Sequence, residues 1–186
     1  MKIAVFSDVH DHIWNLRAAL ASLDDANALL YCGDLCSPFV VGLLADGFRD
    51  RPIEIVFGNN DGDLFRIAQN AAKHEHVSLN GEVYKGELGG KQVAMNHFPA
   101  IASELVAAGS FDLVCFGHDH TFRIEQTGRT LAVNPGTLLG YEPVNGRDVP
   151  ATFAVYDTDA GEAVGYQVAR DGTEARVVPI PDRRSP

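Results

Sequence analysis

An apolar run leads into two histidines in the stretch Leu113-Val114-Cys115-Phe116-Gly117-His118-Asp119-His120. The apolar run has the length and bulk of a buried strand, and Gly117 lets the backbone turn sharply where that strand ends. In an extended chain the i, i+2 spacing directs both imidazoles to the same side. Two histidines that hydrogen-bond within the loop would fit the stretch equally well. The stretch therefore predicts a buried strand and raises the hypothesis of a metal site at its end.

The composition is that of one ordinary globular domain. The chain has 186 residues, of which 46% are hydrophobic and 22% charged, enough to bury a full core. No apolar stretch reaches the length that spans a bilayer. The first apolar run stops at Ser7-Asp8, unlike a signal peptide. We therefore expect a cytoplasmic protein.

Charge and cysteine content narrow the partners and the compartment. With 15 basic and 25 acidic residues the net charge is −10, which argues against a broad nucleic-acid or anionic-membrane surface. The paired arginines Arg183-Arg184 lie in a proline-flanked tail that we expect to fray. Three cysteines cannot all pair within one chain, so a reduced compartment fits better. Cys32 and Cys115 lie in apolar strand patterns and are expected to be buried.

The first third of the chain alternates strands with helices. The apolar runs that predict strands are Lys2–Phe6, Ala28–Cys32 and Ile53–Phe57. Apolar residues at helical spacing follow each run, beginning near Ile13, Pro38 and Leu64. The order β-α-β-α-β-α predicts a parallel sheet with right-handed crossovers.

The remaining chain is predicted to form hairpins around one further helix and the strand before Gly117. The turn Gly89-Gly90 is a strong hairpin signal. The predicted strands are Glu82–Leu88, Lys91–Asn96, Phe122–Gln126, Leu131–Asn134, Thr152–Asp157 and Ala163–Val168, and the helix is Ile101–Ala108. The loop of residues 138–150 has no periodicity and is expected to overhang the site. We predict an α/β fold in which two mixed sheets pack face to face with helices outside.

Seven side chains of metal-ligand type come just after predicted strands, where ligands collect in open α/β sheets. These residues are Asp8, His10, Asp34, Asn59, His97, His118 and His120. Several have an ordinary alternative: Asp8 could cap a helix, Asn59 could form a turn, and His97 could be incidental. Five separate strand ends that supply only carboxylate, imidazole and carboxamide groups favour one shared metal site.

The ligand set suits two catalytic ions better than one. A mixed oxygen and nitrogen set without thiolate suits Mn, Fe, Co or Zn rather than Ca or a structural zinc. Seven ligands are too many for one ion with an open position and are about right for two ions that share a carboxylate. Two ions about 3.5–4 Å apart can clamp a phosphoryl group and generate hydroxide at neutral pH. With two aspartates and one hydroxide such a centre keeps a net positive charge, which would attract a phosphate ester.

The order and spacing of these motifs resemble those of the calcineurin-like metallophosphoesterase superfamily. The motifs are Asp8-x-His10, Gly33-Asp34, Gly58-Asn59-x-Asp61, His97 and Gly117-His118-x-His120. The short chain and Asn134-Pro135-Gly136 are similar to the small phosphodiesterase subgroup related to the retromer vacuolar-sorting subunit. The resemblance implies a four-layer α/β/β/α sandwich, with a single domain over residues 1–168 and a C-terminal tail over residues 169–186.

The resemblance also implies a role for each ligand. Asp8, His10 and His120 would hold the first ion, Asn59, His97 and His118 would complete the second, and Asp34 would bridge the two. A hydroxide between the ions would attack phosphorus in line with the leaving oxygen. Manganese is the expected metal, with Fe, Zn, Co and Ni as alternatives.

Two positions depart from the family pattern. Many members have histidine at the position of Asn60, where it contacts phosphate and assists the leaving group. Asn60 can hydrogen-bond phosphate but cannot donate a proton as an acid, so esters with good leaving groups should be favoured. His12 is the nearest spare candidate for that acid and for a substrate contact, with a surface or outer-sphere role as its alternative. The second departure is Phe98, which stands where the family usually has a glycine after the histidine. Phe98 is held extended by Pro99 and is expected to narrow the entrance to the site.

These observations predict a two-metal phosphodiesterase that acts on a small phosphate ester. The alternatives are a catalytically weak protein-interaction scaffold of the same fold and a phosphatase for nucleotides or other monoesters. Ligand-type residues at all seven positions argue against the scaffold, and the missing acid argues against monoesters. We expect no membrane partner and no broad nucleic-acid surface, and we leave a homo-oligomer open.

Overall fold

The computed structural model describes residues 1–171 and 174–180. The elements in chain order are β1 (Lys2–Phe6), α1 (Ile13–Leu20), β2 (Ala28–Tyr31), α2 (Phe39–Gly47), β3 (Ile53–Ile55), α3 (Leu64–Ala71), β4 (Val77–Leu79), β5 (Val83–Leu88), β6 (Lys91–Asn96), α4 (Pro99–Ala107), β7 (Leu113–Cys115), β8 (Arg123–Thr127), β9 (Thr130–Asn134), β10 (Tyr141–Glu142), β11 (Arg147–Asp148), β12 (Ala151–Asp157), β13 (Glu162–Asp171) and β14 (Glu174–Pro179). The alternation of strands and helices up to α3 agrees with the pattern of apolar runs.

The larger sheet contains seven strands in the order β14-β13-β12-β1-β2-β3-β4. β1 to β4 are parallel, with Ile3 opposite Ala28 and Leu29 opposite Ile53. β12 pairs antiparallel with β1, and β13 and β14 extend the same antiparallel side. Because parallel strands end at one edge, the loops after β1, β2 and β3 lie next to one another.

The smaller sheet contains five strands in the order β5-β6-β7-β9-β8. β6, β7 and β9 are parallel, whereas β5 and β8 are antiparallel strands at the two edges. The loops after β6 and β7 therefore also lie at a common edge. A separate two-stranded ribbon, β10 with β11, lies within residues 138–150.

Three apolar clusters separate four layers. In β1, Ala4 and Phe6 pack towards helices α1 to α3, whereas Ile3 and Val5 pack against the smaller sheet, since successive side chains of a strand alternate. On the outer face of the smaller sheet, Ala102 of α4 completes the third cluster. The predicted α/β/β/α sandwich is therefore confirmed.

The cysteines and the helices have the properties expected of a globular domain with reduced thiols. Cys32, Cys36 and Cys115 are free thiols. Cys32 and Cys115 are buried in the cluster between the sheets, as their apolar surroundings predict. Among the described residues, no helix combines the length and the apolar character needed to cross a membrane. The cytoplasmic location stays a prediction.

Several short strands were not predicted. β4 has three residues, and β10 and β11 have two each, so none is long enough to give a periodic signal. β14 lies in the segment assigned to a tail and pairs antiparallel with β13, which continues past Val168. Residues 174–179 therefore belong to the larger sheet. Arg183-Arg184 lie outside the described residues.

Candidate metal centre

Five loops that follow strands of both sheets carry the seven predicted ligands. The loops after β1, β2, β3, β6 and β7 supply, in this order, Asp8 and His10, Asp34, Asn59, His97, and His118 with His120. Oxygen and nitrogen atoms from these loops approach one another to within 2.8–3.6 Å. The packing of the two sheets therefore brings all seven side chains into one site.

Asp8, His10 and His120 form what we call the first cluster. Oδ1 of Asp8 is 3.2 Å from Nε2 of His120 and 3.6 Å from Nε2 of His10. The other oxygen of Asp8 accepts hydrogen bonds from the Ser7 hydroxyl at 2.5 Å and the backbone N–H of His118 at 3.0 Å. Only Oδ1 therefore remains directed at the two imidazoles.

Asn59, His97 and His118 form the second cluster. Oδ1 of Asn59 is 3.1 Å from Nε2 of His97 and 2.8 Å from Nδ1 of His118. The two imidazole nitrogens are 3.3 Å apart. His97 is buried, whereas Asn59 and His118 are exposed. The second cluster therefore lies on the side of the site that is open to solvent.

Asp34 lies between the two clusters. Its Oδ2 is 3.5 Å from Nε2 of His10 and 3.4 Å from Nε2 of His97. The same carboxylate accepts hydrogen bonds from the backbone N–H and the side-chain amide of Asn60, at 2.7 and 2.8 Å. Asp34 is thus held where a ligand shared by two ions would have to be.

Two atoms of the first cluster are buried without a hydrogen-bond partner among the described residues. They are Oδ1 of Asp8 and Nε2 of His10. Buried polar atoms are nearly always hydrogen-bonded, so each unpaired one needs an explanation such as a bound ion. Carboxylate oxygen and imidazole nitrogen are ordinary ligands of divalent transition metals. The residues present therefore fit a divalent metal ion.

The backbone of five of the predicted ligands adopts left-handed conformations. These are Asp8 (φ 53°), His10 (φ 42°), Asp34 (φ 60°), His118 (φ 75°) and His120 (φ 55°). The i, i+2 spacing predicts an extended chain with both histidines on one side, and that prediction is wrong, because His118 joins the second cluster and His120 the first. Such conformations cost about 1–3 kcal/mol each outside glycine and are typical of functional sites. Backbone hydrogen bonds between neighbouring loops hold them, from Asp8 to Gly33 and from His10 to Asp34, both at 3.1 Å.

The charges of the site shift the pKa values of its buried groups. Burial raises the pKa of Asp8, but the close approach of His10 and His120 to this carboxylate outweighs burial and holds that pKa well below its usual range. Burial also raises the pKa of Asp34, but the interaction with His97 outweighs burial, so the pKa of Asp34 lies below its usual value. Burial lowers the pKa of His97, yet the neighbouring Asp34 carboxylate raises it above its ordinary value. The carboxylates are therefore ionised near neutral pH, as binding of a cation requires.

Backbone carbonyl groups orient two of the imidazoles. Nδ1 of His97 donates to the carbonyl of Cys32 at 2.7 Å, and Nδ1 of His120 donates to the carbonyl of Tyr141 at 2.5 Å. Each bond leaves Nε2 directed at a carboxylate, the arrangement that metal-binding histidines adopt. These partners were not predicted, because every residue has a carbonyl and no sequence signal distinguishes the two.

The loop of residues 138–150 covers the first cluster, as expected. The N–H of Leu139 donates to the carbonyl of Asp8 at 3.0 Å, and the hydroxyl of Thr137 donates to the same carbonyl at 2.7 Å. Leu139 and the Tyr141 carbonyl thus attach the loop to Asp8 and His120, and Thr137 adds a bond from the residue just before the loop.

Asn60 and His12, the predicted substrate contacts, have partners within the protein. The side-chain amide of Asn60, although exposed, donates to Asp34. His12 is the N-cap of α1, where its Nδ1 accepts the backbone N–H of Asn15 at 3.3 Å and its ring lies 5.6 Å from that of Trp14. The cap is therefore His12 rather than an aspartate. Substrate contact by either residue stays a prediction.

Phe98 packs against the second cluster. Its backbone is extended, with φ −90° and ψ 131°, as the following Pro99 favours. The centroid of its ring is 5.0 Å from those of His97 and His118, both in edge-on arrangements. Phe98 therefore forms an apolar wall beside the imidazoles of His97 and His118.

Gly117→Ala is expected to weaken metal binding at the first cluster. A Cβ at this position would lie 1.9 Å from Oγ of Ser7 and 2.5 Å from Oδ2 of Asp8, so the methyl group would displace Asp8. Disturbing the partners of a ligand typically costs about 10–100-fold in metal affinity, and we expect at least this loss in a calorimetric titration with Mn²⁺. Gly42→Ala is the control, since nothing lies within 4 Å of its Cβ. Unchanged affinity in Gly117→Ala would contradict a metal-binding role for Asp8.

Two mixed sheets that present carboxylate, imidazole and carboxamide groups at one edge define the class of metal-dependent phosphoesterases. The model of the calcineurin-like phosphoesterase superfamily domain matches residues 1–161. The chain therefore belongs to the calcineurin-like phosphoesterase superfamily and is a metal-dependent phosphoester hydrolase, as its motifs predict.

Similar proteins of known sequence or structure include phosphodiesterases and a vacuolar-sorting protein. A phosphodiesterase from Methanocaldococcus jannaschii is 28% identical over 168 residues, which cover 87% of this chain and 96% of the relative. Among solved structures, an archaeal phosphodiesterase matches with a TM-score of 0.78 and 24% identity, covering 97% of this chain and 100% of that chain. Vacuolar protein sorting 29 from Cryptosporidium parvum matches with a TM-score of 0.68 and 20% identity over 96% of each chain. The predicted likeness to the small phosphodiesterases and the vacuolar-sorting subunit is confirmed.

Proposed function

We propose that the chain is a phosphodiesterase that uses two metal ions. The position of Asp34 carries the proposal, because its Oδ2 lies 3.5 Å from a histidine nitrogen of the first cluster and 3.4 Å from one of the second. One carboxylate that faces two sets of ligands is the arrangement that a binuclear centre needs.

The first cluster would hold one ion, the second cluster would hold the other, and Asp34 would be shared. When bound, the two ions supply Lewis acidity towards the phosphoryl oxygens and a hydroxide nucleophile at neutral pH. The ligands contain only oxygen and nitrogen atoms, which suits manganese, with Fe, Zn, Co and Ni as alternatives.

The substrate would approach from the side of the second cluster. Asn59, Asn60 and His118 are exposed there, whereas Asp8 and His120 of the first cluster are buried. A carboxamide has two N–H groups, and Asn60 gives one to Asp34, so the other can donate to a phosphoryl oxygen. This contact would fix the phosphoryl group beside the shared carboxylate.

A diester with a good leaving group is the substrate class that we infer. Asn60 can bind a phosphoryl oxygen but has no acidic proton to give to the leaving oxygen. The name of the Methanocaldococcus jannaschii relative, a phosphodiesterase, supports a diester.

Removal of metal is expected to abolish hydrolysis of bis(4-nitrophenyl) phosphate, and Mn²⁺ is expected to restore it. Metal ions contribute several kcal/mol to the transition state, so the loss should be at least about 100-fold. Elemental analysis of the reactivated protein should find two ions per chain. Full activity with one ion per chain would contradict the binuclear proposal, since Asp34 would then have nothing to bridge.

The same assay separates the two alternative functions. A monoester phosphatase would hydrolyse 4-nitrophenyl phosphate faster than the diester. A scaffold would hydrolyse neither ester even when loaded with Mn²⁺. The structural likeness to vacuolar protein sorting 29 shows the shared fold and does not by itself favour the scaffold.

A further inference from the structure

Three imidazoles direct Nε2 into the site, and they differ in what contacts the other ring nitrogen. Nδ1 of His97 and of His120 donates to a backbone carbonyl at 2.7 and 2.5 Å. Nδ1 of His10 instead lies 3.4 Å from Sγ of Cys36. Metal-binding histidines almost always donate this N–H to a carboxylate, a carbonyl or water, so a thiol in this place is unusual.

The backbone of Cys36 is held in position from a second side. Its conformation is left-handed, with φ 70°, and its N–H donates to Oδ1 of Asp61 at 2.9 Å. The other oxygen of Asp61 accepts the N–H groups of Gly58 at 2.7 Å and Asp34 at 3.1 Å. One carboxylate therefore fixes the loop that carries Asp34 and Cys36 to the loop that carries Asn59. The location of the sulfur follows from this fixed and strained backbone.

We propose that Cys36 is a positioning residue that orients His10 for metal binding, its sulfur accepting the Nδ1–H of the imidazole. The proposal rests on the proposed function, since it concerns the ion of the first cluster. It adds a residue that the family motifs do not contain, because Cys36 lies two positions beyond Asp34.

The reason lies in the two neutral forms of the ring. Nε2 can bind a metal only when the single ring proton is on Nδ1. An acceptor beside Nδ1 favours that form and also restrains rotation of the ring. Without the sulfur, the form protonated at Nε2 competes with the metal. The effect should be confined to the first cluster, because His10 belongs to it and His97 of the second cluster keeps its carbonyl partner.

The test is a calorimetric titration of chelator-treated protein with Mn²⁺. Cys36→Ala should weaken one binding event about 10–100-fold and leave the other unchanged. Cys36→Ser should recover most of that loss, because its hydroxyl oxygen can accept the same N–H. Cys115→Ala is the matched control, since it removes a buried thiol from the core between the sheets. In a His10→Ala background, Cys36→Ala should have no further effect, as a double-mutant cycle requires of an effect transmitted through His10.

A Co²⁺ spectrum provides a second readout that a purely structural role would not change. Cys36→Ala should alter the visible bands of one of the two ions, because the orientation of one imidazole changes. Unchanged Mn²⁺ affinities and an unchanged Co²⁺ spectrum in Cys36→Ala would overturn the proposal while leaving the proposed function intact. An additive loss in the His10→Ala background, or no recovery in Cys36→Ser, would also overturn it. Failure of the wild-type protein to bind any metal would instead overturn the proposed function, and this inference with it.

Discussion

Asp34→Asn is expected to release both metal ions together and to lower diester hydrolysis at least about 10³-fold, a loss of several kcal/mol of metal-dependent stabilisation. The substitution removes a negative charge from the oxygen that lies 3.4 Å from His97 and 3.5 Å from His10. It also creates a local conflict. Both carboxylate oxygens accept hydrogen bonds from Asn60, so an amide would have to turn its NH₂ group towards a donor.

Elemental analysis and steady-state kinetics of three variants test this expectation. Asn59→Ala removes a ligand of the second cluster only and should retain one ion, so its loss of metal should be about half that of Asp34→Asn. Asp25→Asn makes the same chemical change at an exposed carboxylate that pairs with Lys2 and should behave as the wild type. Equal, partial losses in Asp34→Asn and Asn59→Ala would show that the site holds a single metal.

The rate is expected to depend steeply on the leaving group, with aryl diesters fast and alkyl diesters slow. A general acid typically contributes about 10²–10⁴ in rate, and it contributes most when the leaving alkoxide is a strong base. Asn60 cannot supply a proton, and its amide is hydrogen-bonded to Asp34 at 2.8 Å. The measurement is a plot of log kcat/KM against leaving-group pKa at saturating Mn²⁺.

Asn60→His should flatten that plot. The imidazole could donate a proton to the leaving oxygen, while the backbone N–H at this position would keep its bond to Asp34 at 2.7 Å. The variant loses the side-chain bond to Asp34, so metal content must be measured with each slope. Asn60→Ala is the control, because it loses the same bond without gaining an acid. An unchanged slope in fully metallated Asn60→His would contradict Asn60 as the cause of the steep leaving-group dependence. It would leave His12 as the next candidate for the proton donor.

The order and the type of the ligands were determined by the sequence alone. Each predicted ligand comes shortly after an apolar run, and such runs become buried strands because their side chains have no other favourable environment. The strand Lys2–Phe6 was predicted with its observed bounds. Carboxylate, imidazole and carboxamide groups at five strand ends were enough to predict a metal site, since the chemistry of these groups does not depend on their exact positions. The order and spacing of the motifs, through the family resemblance, then predicted a metal-dependent phosphoesterase.

The division of the predicted ligands into two clusters was implied by the family resemblance, but its physical cause is seen only in the tertiary structure. The i, i+2 spacing places His118 and His120 together, yet their left-handed backbones send them to different clusters. Such conformations are unfavourable locally and persist because hydrogen bonds from other loops hold them, so no local pattern reveals them. The same reason applies to the Tyr141 carbonyl and to Cys36, whose contacts with the imidazoles join segments that are far apart in the chain. Which atoms meet across the two sheets depends on how the sheets pack, and that is a property of the whole fold.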